Sequence, residues 1–485
     1  MVQLARRVLK NSFYNTLRVL ISGFGGFAFS IALARLLTPE QFGIYALATS
    51  ICFLVLQLDP GTNDALIRYL SYSIGKGKIE LARGYVRFIS KIKLILGFVF
   101  SITLAILSNY VAEHIFGKPE LGFPLLILSA FLFFFYMTDY VEAFFIAFQE
   151  FRYSTIRHAI YEFLKFCFVV IPYILIIKYF YGIFFGLLAA AFLVFLIMLM
   201  LCIRKFKCLF IGETTEIKRV RVLRYIGFLS IGAISGTVFS YVDIIMLGMF
   251  LPPEYAGYYK AATNVVFAIV GLASISNVLF PVFTQLEGES LENAFKKVVR
   301  YSAIVSFPAS VGLCFFSEQI VKVIYGVEYI PASIPLMILS PLIIFSSINF
   351  FGVLFNSKEK PEYNTIFTII TMSLNIVLNY ILILKMGMIG AAIATTFSRF
   401  VGLILPAVAS WRVFKISPDV KSLLYPTLSS GVVLLILTCL PRPESIFVGI
   451  LEILALVLLY FVVMFWIGGI NREDMQYFMK ILGIR

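Results

Sequence analysis

Charge is the scarcest property of this 485-residue chain: Asp, Glu, Lys and Arg together supply 14% of it, where a soluble globular protein has about a quarter. Histidine occurs twice and tryptophan twice. The six cysteines (Cys52, Cys167, Cys202, Cys208, Cys314 and Cys439) fall in or beside apolar runs without paired spacing, which argues against a disulfide framework and against a zinc site. Long polar segments are missing too. The two longest, around 68–87 and 204–224, are too short to hold an extramembrane catalytic domain. Gly75-Lys76-Gly77-Lys78 lacks the spacing and the Ser or Thr of a phosphate-binding loop, so an ATP-driven mechanism would need a separate subunit.

What fills the chain instead is apolar. Hydrophobic residues make up 61%, with a mean hydropathy of +0.96. In a chain this long the surplus must face lipid, which makes it an integral membrane protein. Its apolar runs are continuous over about 20 residues rather than alternating, the pattern of spanning helices and not of barrel strands. The net charge of +14 sits in short clusters between these runs, as in cytoplasmic loops, and does not form a nucleic-acid surface. The N-terminus imitates a cleavable signal, with Arg6, Arg7 and Lys10 ahead of an apolar run and Ala32-Leu33-Ala34 at its end. That reading fails because the run continues into a helical hairpin whose copy, at 225–250, is internal.

The duplication is written in short stretches. Leu37-Thr38-Pro39-Glu40-Gln41-Phe42-Gly43-Ile44-Tyr45 and Leu251-Pro252-Pro253-Glu254-Tyr255-Ala256-Gly257-Tyr258-Tyr259 repeat Leu, Pro, Glu, Gly and Tyr at the same spacing. Pro is expected to stop the incoming helix, Glu to start the next, and Gly to let helices approach. Pro124-Leu125-Leu126-Ile127-Leu128-Ser129 answers Pro335-Leu336-Met337-Ile338-Leu339-Ser340, and Tyr153-Ser154-Thr155-Ile156 answers Tyr363-Asn364-Thr365-Ile366. The repeat is about 210 residues long.

Fourteen spans are expected. They lie near 12–34, 42–59, 88–110, 122–148, 155–178, 181–203, 225–250, 258–284, 300–317, 332–356, 363–385, 388–411, 422–440 and 446–469. The expected fold class is all-α and polytopic: two six-helix lobes, 1–210 and 211–415, then two extra helices and a tail, 416–485. With both termini cytoplasmic, most of the 40 Lys and Arg fall in inner segments, densest from Lys76 to Lys93 and from Arg204 to Arg224. An even number of spans per repeat relates the lobes by an axis along the membrane normal.

Arg35-Leu36-Leu37-Thr38-Pro39-Glu40-Gln41-Phe42-Gly43-Ile44-Tyr45-Ala46 resembles the first hairpin turn of the polysaccharide-transporter branch of the multidrug/oligosaccharidyl-lipid/polysaccharide exporter superfamily. Gly387-Met388-Ile389-Gly390-Ala391-Ala392-Ile393-Ala394-Thr395 resembles the start of that branch's twelfth helix. The likeness spans essentially the whole chain. It implies a MATE-like fold of two helical bundles around a central, often cationic cavity that opens alternately to either side. It also implies a polyprenyl-diphosphate sugar as substrate, its head crossing through the cavity while its tail stays in lipid. In the lipid II branch the two extra helices help form a groove for that tail.

Ionisable groups at bilayer depth cost roughly 2.5–3.5 kcal/mol each on insertion scales, so each needs a reason. Arg399, near the middle of the twelfth run, either grips a diphosphate with its planar fork or bridges to Asp243 or another buried acid. Arg18 either snorkels to the headgroups or captures the diphosphate. His158, Glu162 and Lys165 form one stripe of the fifth run. Glu162 and Lys165 either neutralise one another or line a cavity, with Lys165 on phosphate and Glu162 or His158 taking up a proton or cation. Asp139 and Glu142, one turn apart, repel unless one is protonated, a cation sits between them, or the fifth or first run supplies a partner. Asp243 shares a small-residue face with Gly232, Gly236 and Ser240. Asn375 and Asn379, in line with Thr368 and Thr371, suit sugar hydroxyls or glue helices together. Glu452 has no assigned role.

The function expected is transport, not catalysis: a flippase moving a polyprenyl-diphosphate-linked oligosaccharide from the cytoplasmic to the outer leaflet by alternating access. Expected substrate contacts are Arg399, Arg18, Lys165, Asn375 and Asn379. Expected ion-coupling groups are Asp139, Glu142, Glu162, His158 and Asp243, working with protons or sodium and without an organic cofactor or structural metal. Expected partners are the lipid-linked oligosaccharide, membrane lipids and glycan-assembly enzymes, at the cell membrane. Pro172, Pro281, Pro341 and Pro406, with Gly23, Gly25 and Gly26, are expected bending points. The rivals are a multidrug or organic-cation exporter of the same fold, and a membrane glycosyltransferase or polymerase, which the short loops disfavour.

Overall fold

The computed structural model describes residues 2–59, 61–175, 178–273, 276–439 and 446–470. They are helical almost throughout, with no strand among them. The first half is built from α1 (Val2–Leu36), α2 (Pro39–Leu56), α3 (Gly61–Gly75), α4 (Ile79–Tyr110), α5 (Gly122–Ala147), α6 (Phe151–Lys165) and α7 (Gly182–Lys205). Then come α8 (Arg219–Phe250), α9 (Pro253–Ala273), α10 (Ser276–Gln285), α11 (Gly288–Phe315), α12 (Ser317–Ile324), α13 (Ser333–Leu339), α14 (Leu342–Ile348) and α15 (Phe351–Ser357). The last four are α16 (Pro361–Met386), α17 (Met388–Phe414), α18 (Val420–Cys439) and α19 (Ile446–Trp466).

Among the described residues ten helical segments are long and apolar enough to cross a membrane, and the pair Val327–Leu339 and Leu342–Ser357, bent by 42°, makes an eleventh span. The other expected runs fall on α8, on α9 with α10, and on α19. The chain divides into two compact units, Met1–Lys260 and Ala261–Arg485. The division falls inside α9, so α8 belongs with the first unit, where it packs on α2 and α3.

The two motif copies meet within the first unit. Thr38 caps α2: its hydroxyl accepts from the Gln41 amide at 3.3 Å while the Gln41 side chain accepts from the Thr38 amide, a reciprocal box that fixes the turn. Glu40 and Glu254 stand in the first turns of α2 and α9, where the helix dipole favours them. Gly43 and Gly257 face each other's turns. A Cβ on Gly43 would fall on the Pro253 carbonyl, and one on Gly257 would come within 2.5 Å of the Pro39 carbonyl. The repeated glycine is thus a close backbone crossing made twice.

Two elements differ from the sequence expectation. The stretch 68–87 is largely helix, because α3 runs to Gly75 and α4 starts at Ile79. With 32 residues α4 is about 48 Å long against about 30 Å of hydrocarbon, so one end of it stands clear of the bilayer. It carries the 206–218 connection there: Arg83 Nε donates to the Cys208 carbonyl and Arg87 Nη2 to the Gly212 carbonyl, both at 2.7 Å. The run at 332–356 is three short helices instead of one. Its counterpart α5 passes unbroken through Ser129-Ala130, whereas the second copy has Ser340-Pro341, and proline cannot continue the ladder. Pro406, by contrast, sits inside α17 without ending it.

In the first unit α5 is the most enclosed helix, with α2, α3, α4, α6 and α7 around it, while α1 lies along α6. The second unit has one core around Phe283, Phe295, Phe351 and Phe355 and another where α11, α18 and α19 meet.

Candidate transport site

The enclosure of α5 decides what its acids do. Asp139 and Glu142 cannot face lipid, and Arg157 of α6 reaches between them, Nη2 donating to Asp139 and Nη1 to Glu142. The guanidinium fork suits this task because its donors are rigid and always charged. Glu142 is the hub: Ser154 Oγ also donates to it, Arg18 Nη1 lies 3.6 Å away and His158 Nε2 3.8 Å away. The repulsion expected between the two acids is therefore relieved by partners on both the fifth and the first run. Arg18 keeps 31% of its side chain exposed.

One turn beyond His158 on α6, Glu162 and Lys165 pair at 2.7 Å. Gly25 of α1 makes room for this pair, since a Cβ there would come within 2.6 Å of Glu162 Cγ. Lys165 Nζ also lies 4.8 Å from the centre of the Phe29 ring and 5.0 Å from that of Tyr161. The pair borders an internal cavity of about 280 Å³, with His158, Tyr161, Tyr45 and Thr49 among its polar lining and Phe53, Phe131 and Phe135 among its apolar lining. Ligand pockets are typically about 300–1,000 Å³, which puts this space at the small end of that range.

A second buried cluster sits where α2 gives way to α3. Asp59 accepts from the Thr62 amide at 3.2 Å, from the Thr62 hydroxyl and from Tyr136 Oη, which makes it the cap of α3. Lys93 of α4, fully enclosed, stands 3.6 Å from Asp59 and 3.3 Å from the centre of the Tyr136 ring. Sequence reasoning placed Lys93 in an inner loop cluster and did not single out Arg157 or Asp59. The available signal was the unmatched acid: each buried carboxylate needs a cation within reach.

The remaining candidates are placed separately. Asp243 of α8 accepts from Tyr259 Oη at 2.7 Å, the last tyrosine of the second motif copy. Asn375 and Asn379 are wholly enclosed between α16 and α17, Asn375 donating to Thr395 Oγ1 at 3.2 Å and Asn379 to Asn375 Oδ1 at 3.1 Å. They hold that helix pair together. Arg399 is half-buried on α17. The repeat has diverged in charge: by the two shared stretches, Asp139, Glu142 and Arg157 correspond to Phe350, Val353 and Phe367 in the second copy. Those three pack in or against the second unit's aromatic core.

Residues 32–334, well over half of the chain, match the family described as polysaccharide biosynthesis protein. The chain belongs to that family. Among its relatives, the probable low-salt glycan biosynthesis flippase Agl15 of Haloferax volcanii is 31% identical over 193 residues, 38% of this chain and 41% of that protein. The match thus spans about two fifths of that relative's length. An uncharacterized membrane protein of Methanocaldococcus jannaschii is 26% identical over 382 residues, 74% of each chain. In fold, it is similar to the lipid II flippase MurJ in an inward closed conformation: TM-score 0.76 at 18% identity, over 98% of this chain and 100% of that one. It is also similar to an inward-facing multidrug resistance MATE family transporter of the MOP superfamily, with TM-score 0.67 at 13% identity over 86% and 98%. The all-helical, MATE-like fold expected from the sequence is the fold this chain has, and it is a multi-span membrane protein.

Proposed function

We propose that this protein is a flippase, carrying a polyprenyl-diphosphate-linked oligosaccharide from the cytoplasmic to the outer leaflet of the cell membrane by alternating access. The family match over residues 32–334 carries the reading, because the matched chain is membrane helix almost throughout. The polar connection 206–218 between α7 and α8 is too short for a catalytic domain, which supports handling of the glycan within the membrane. The flippase named among its relatives and the MurJ-like fold support the same reading.

Arg18, partly exposed, is the contact we assign to the diphosphate, with Arg399 as the second. Lys165 is committed to Glu162 and fits ion coupling better than phosphate binding. Protonating Glu162 removes the charge that holds Lys165, which gives the cavity two electrostatic states; His158 stands one turn away. Sodium is the alternative coupling ion. Glycan-assembly enzymes supply and consume the substrate, and both termini lie in the cytoplasm. The glycan profile of a deletion strain tests this reading. Loss of a surface polysaccharide or glycoprotein glycan is expected; an intact profile with new drug sensitivity would favour an exporter of the same fold.

A further inference from the structure

The flippase reading leaves two coupling ions open, and the residues around Glu162 choose between them. Glu162 is a buried acid on the wall of the internal cavity of about 280 Å³. The charged and titratable groups around it are Lys165, His158 and Tyr161 on its own helix, Tyr45 and Cys52 of α2, and the Glu142 hub of α5 with Arg157 and with Arg18 of α1. Among the described residues its ion partner is Lys165, whose Nζ lies 2.7 Å from Glu162 Oε2. That oxygen receives no aligned hydrogen bond from them, so it is the ammonium charge that answers it.

A carboxylate on such a cavity is where a hard cation would bind, because these ions take oxygen ligands. Further oxygens line the same space: the hydroxyls of Tyr45 and Tyr161, and that of Thr49, which donates to the Tyr45 carbonyl at 2.7 Å and keeps its lone pairs. The Lys165 ammonium is already in the cation's place. It lies against the carboxylate, with the ring centres of Phe29 and Tyr161 4.8 and 5.0 Å away, so a sodium ion entering here would stand beside a like charge. A proton meets no such obstacle. Delivered to a Glu162 oxygen, it raises the charge of the pocket by one, as sodium would, and needs no shell of ligands. Cations of the chain fill comparable places elsewhere in the unit, Arg157 between Asp139 and Glu142, and Lys93 3.6 Å from Asp59. Glu142 and Asp59 also accept from hydroxyls, of Ser154 in one case and of Thr62 and Tyr136 in the other, so Glu162 has the fewest bonds to break on taking up a proton.

We propose that Lys165 is a tethered cation standing in the place of sodium, and that it makes the pocket selective for protons. Lys165 is then the residue that decides which ion couples: without it, Glu162 and the surrounding hydroxyls become a sodium site. The inference rests on the coupling part of the flippase reading, but ion binding can be read with no substrate present.

Thermal unfolding of the full chain in mild detergent tests it, with sodium chloride read against choline chloride at equal ionic strength and fixed pH. The parent is expected to show no sodium-specific shift. Lys165→Gln strands Glu162, so its unfolding temperature should fall in choline and climb back, saturably, as sodium replaces choline. Adding Glu162→Gln should abolish that response, because the acid that binds the ion is gone. In sealed vesicles a pH gradient should speed transfer by the parent, and a sodium gradient at constant pH should not. A sodium-specific shift in the parent, faster transfer under a sodium gradient alone, or Lys165→Gln neither stabilised nor recovered by sodium would overturn the proposal. A parent that moves no lipid-linked oligosaccharide while these sodium responses hold would defeat the flippase reading and leave the ion selectivity standing.

Discussion

Removing Arg157 takes the guanidinium fork from two carboxylates at once, the buried Glu142 and the partly exposed Asp139. Breaking a buried pair by deleting one partner typically costs about 3–5 kcal/mol, because the remaining charge cannot reach water. Arg157→Ala should therefore lower expression and thermal stability sharply, and adding Asp139→Asn with Glu142→Gln should restore much of both. A single variant as stable as the parent, by thermal unfolding in detergent, would show that the fork does not hold α5 to α6. Arg399 divides function from stability in another way. If it grips the diphosphate, Arg399→Ala leaves a folded protein that no longer transports, and Arg399→Lys is only partly tolerated, because an ammonium keeps the charge but loses the fork. If it neutralises a buried acid, the same change lowers expression, and neutralising that acid, Asp243 first, rescues it. Expression, stability and transport measured together separate these outcomes, and normal transport by a stable Arg399→Ala variant rejects both. At this scale the acids and the Glu162–Lys165 pair were legible, and Arg157 as the partner of Asp139 and Glu142 was not. Asp139, Glu142 and Glu162 stand out because a carboxylate in an apolar run needs a reason. Lys93 and Arg157 lie near run ends, where a cation reads as a headgroup contact; hydropathy gives depth along a helix but not the direction a side chain takes.

The crossing of α2 and α9 is the element-scale device the sequence announces most clearly. Leu, Pro, Glu, Gly and Tyr at one spacing foretell a turn and a close approach, but not that the two turns approach each other. Gly43→Ala and Gly257→Ala should each force the turns apart, with a cost of about 1–3 kcal/mol for overpacking, read as a lower unfolding temperature. Gly23→Ala on α1 is the control, since a Cβ there meets nothing within 4 Å and should be tolerated. If Gly43→Ala melts with the parent, the crossing is looser than described. The apolar runs located the spanning elements because lipid demands continuous hydrophobic helix. They missed α3 and the extension of α4, whose polar residues interrupt the hydropathy signal. They gave α13 to α15 as one unbroken run, where Pro341 in place of Ala130 marks the bend.

At the scale of the whole molecule, Asp139, Glu142 and Arg157 of the first copy stand opposite Phe350, Val353 and Phe367 in the second. Duplication was readable because the shared stretches keep their order; the asymmetry of charge emerged only when the two registers were laid on the structure. The account places the proton- or sodium-sensitive part in the first unit, around Glu162 and Lys165, and requires no nucleotide. The most direct test uses sealed vesicles holding the purified protein and a lipid-linked oligosaccharide whose sugar is fluorescent, read by an impermeant quencher. The account predicts protein-dependent transfer between leaflets without ATP, faster under an imposed proton or sodium gradient and insensitive to that gradient in Glu162→Gln. Transfer no faster than in protein-free vesicles would contradict it.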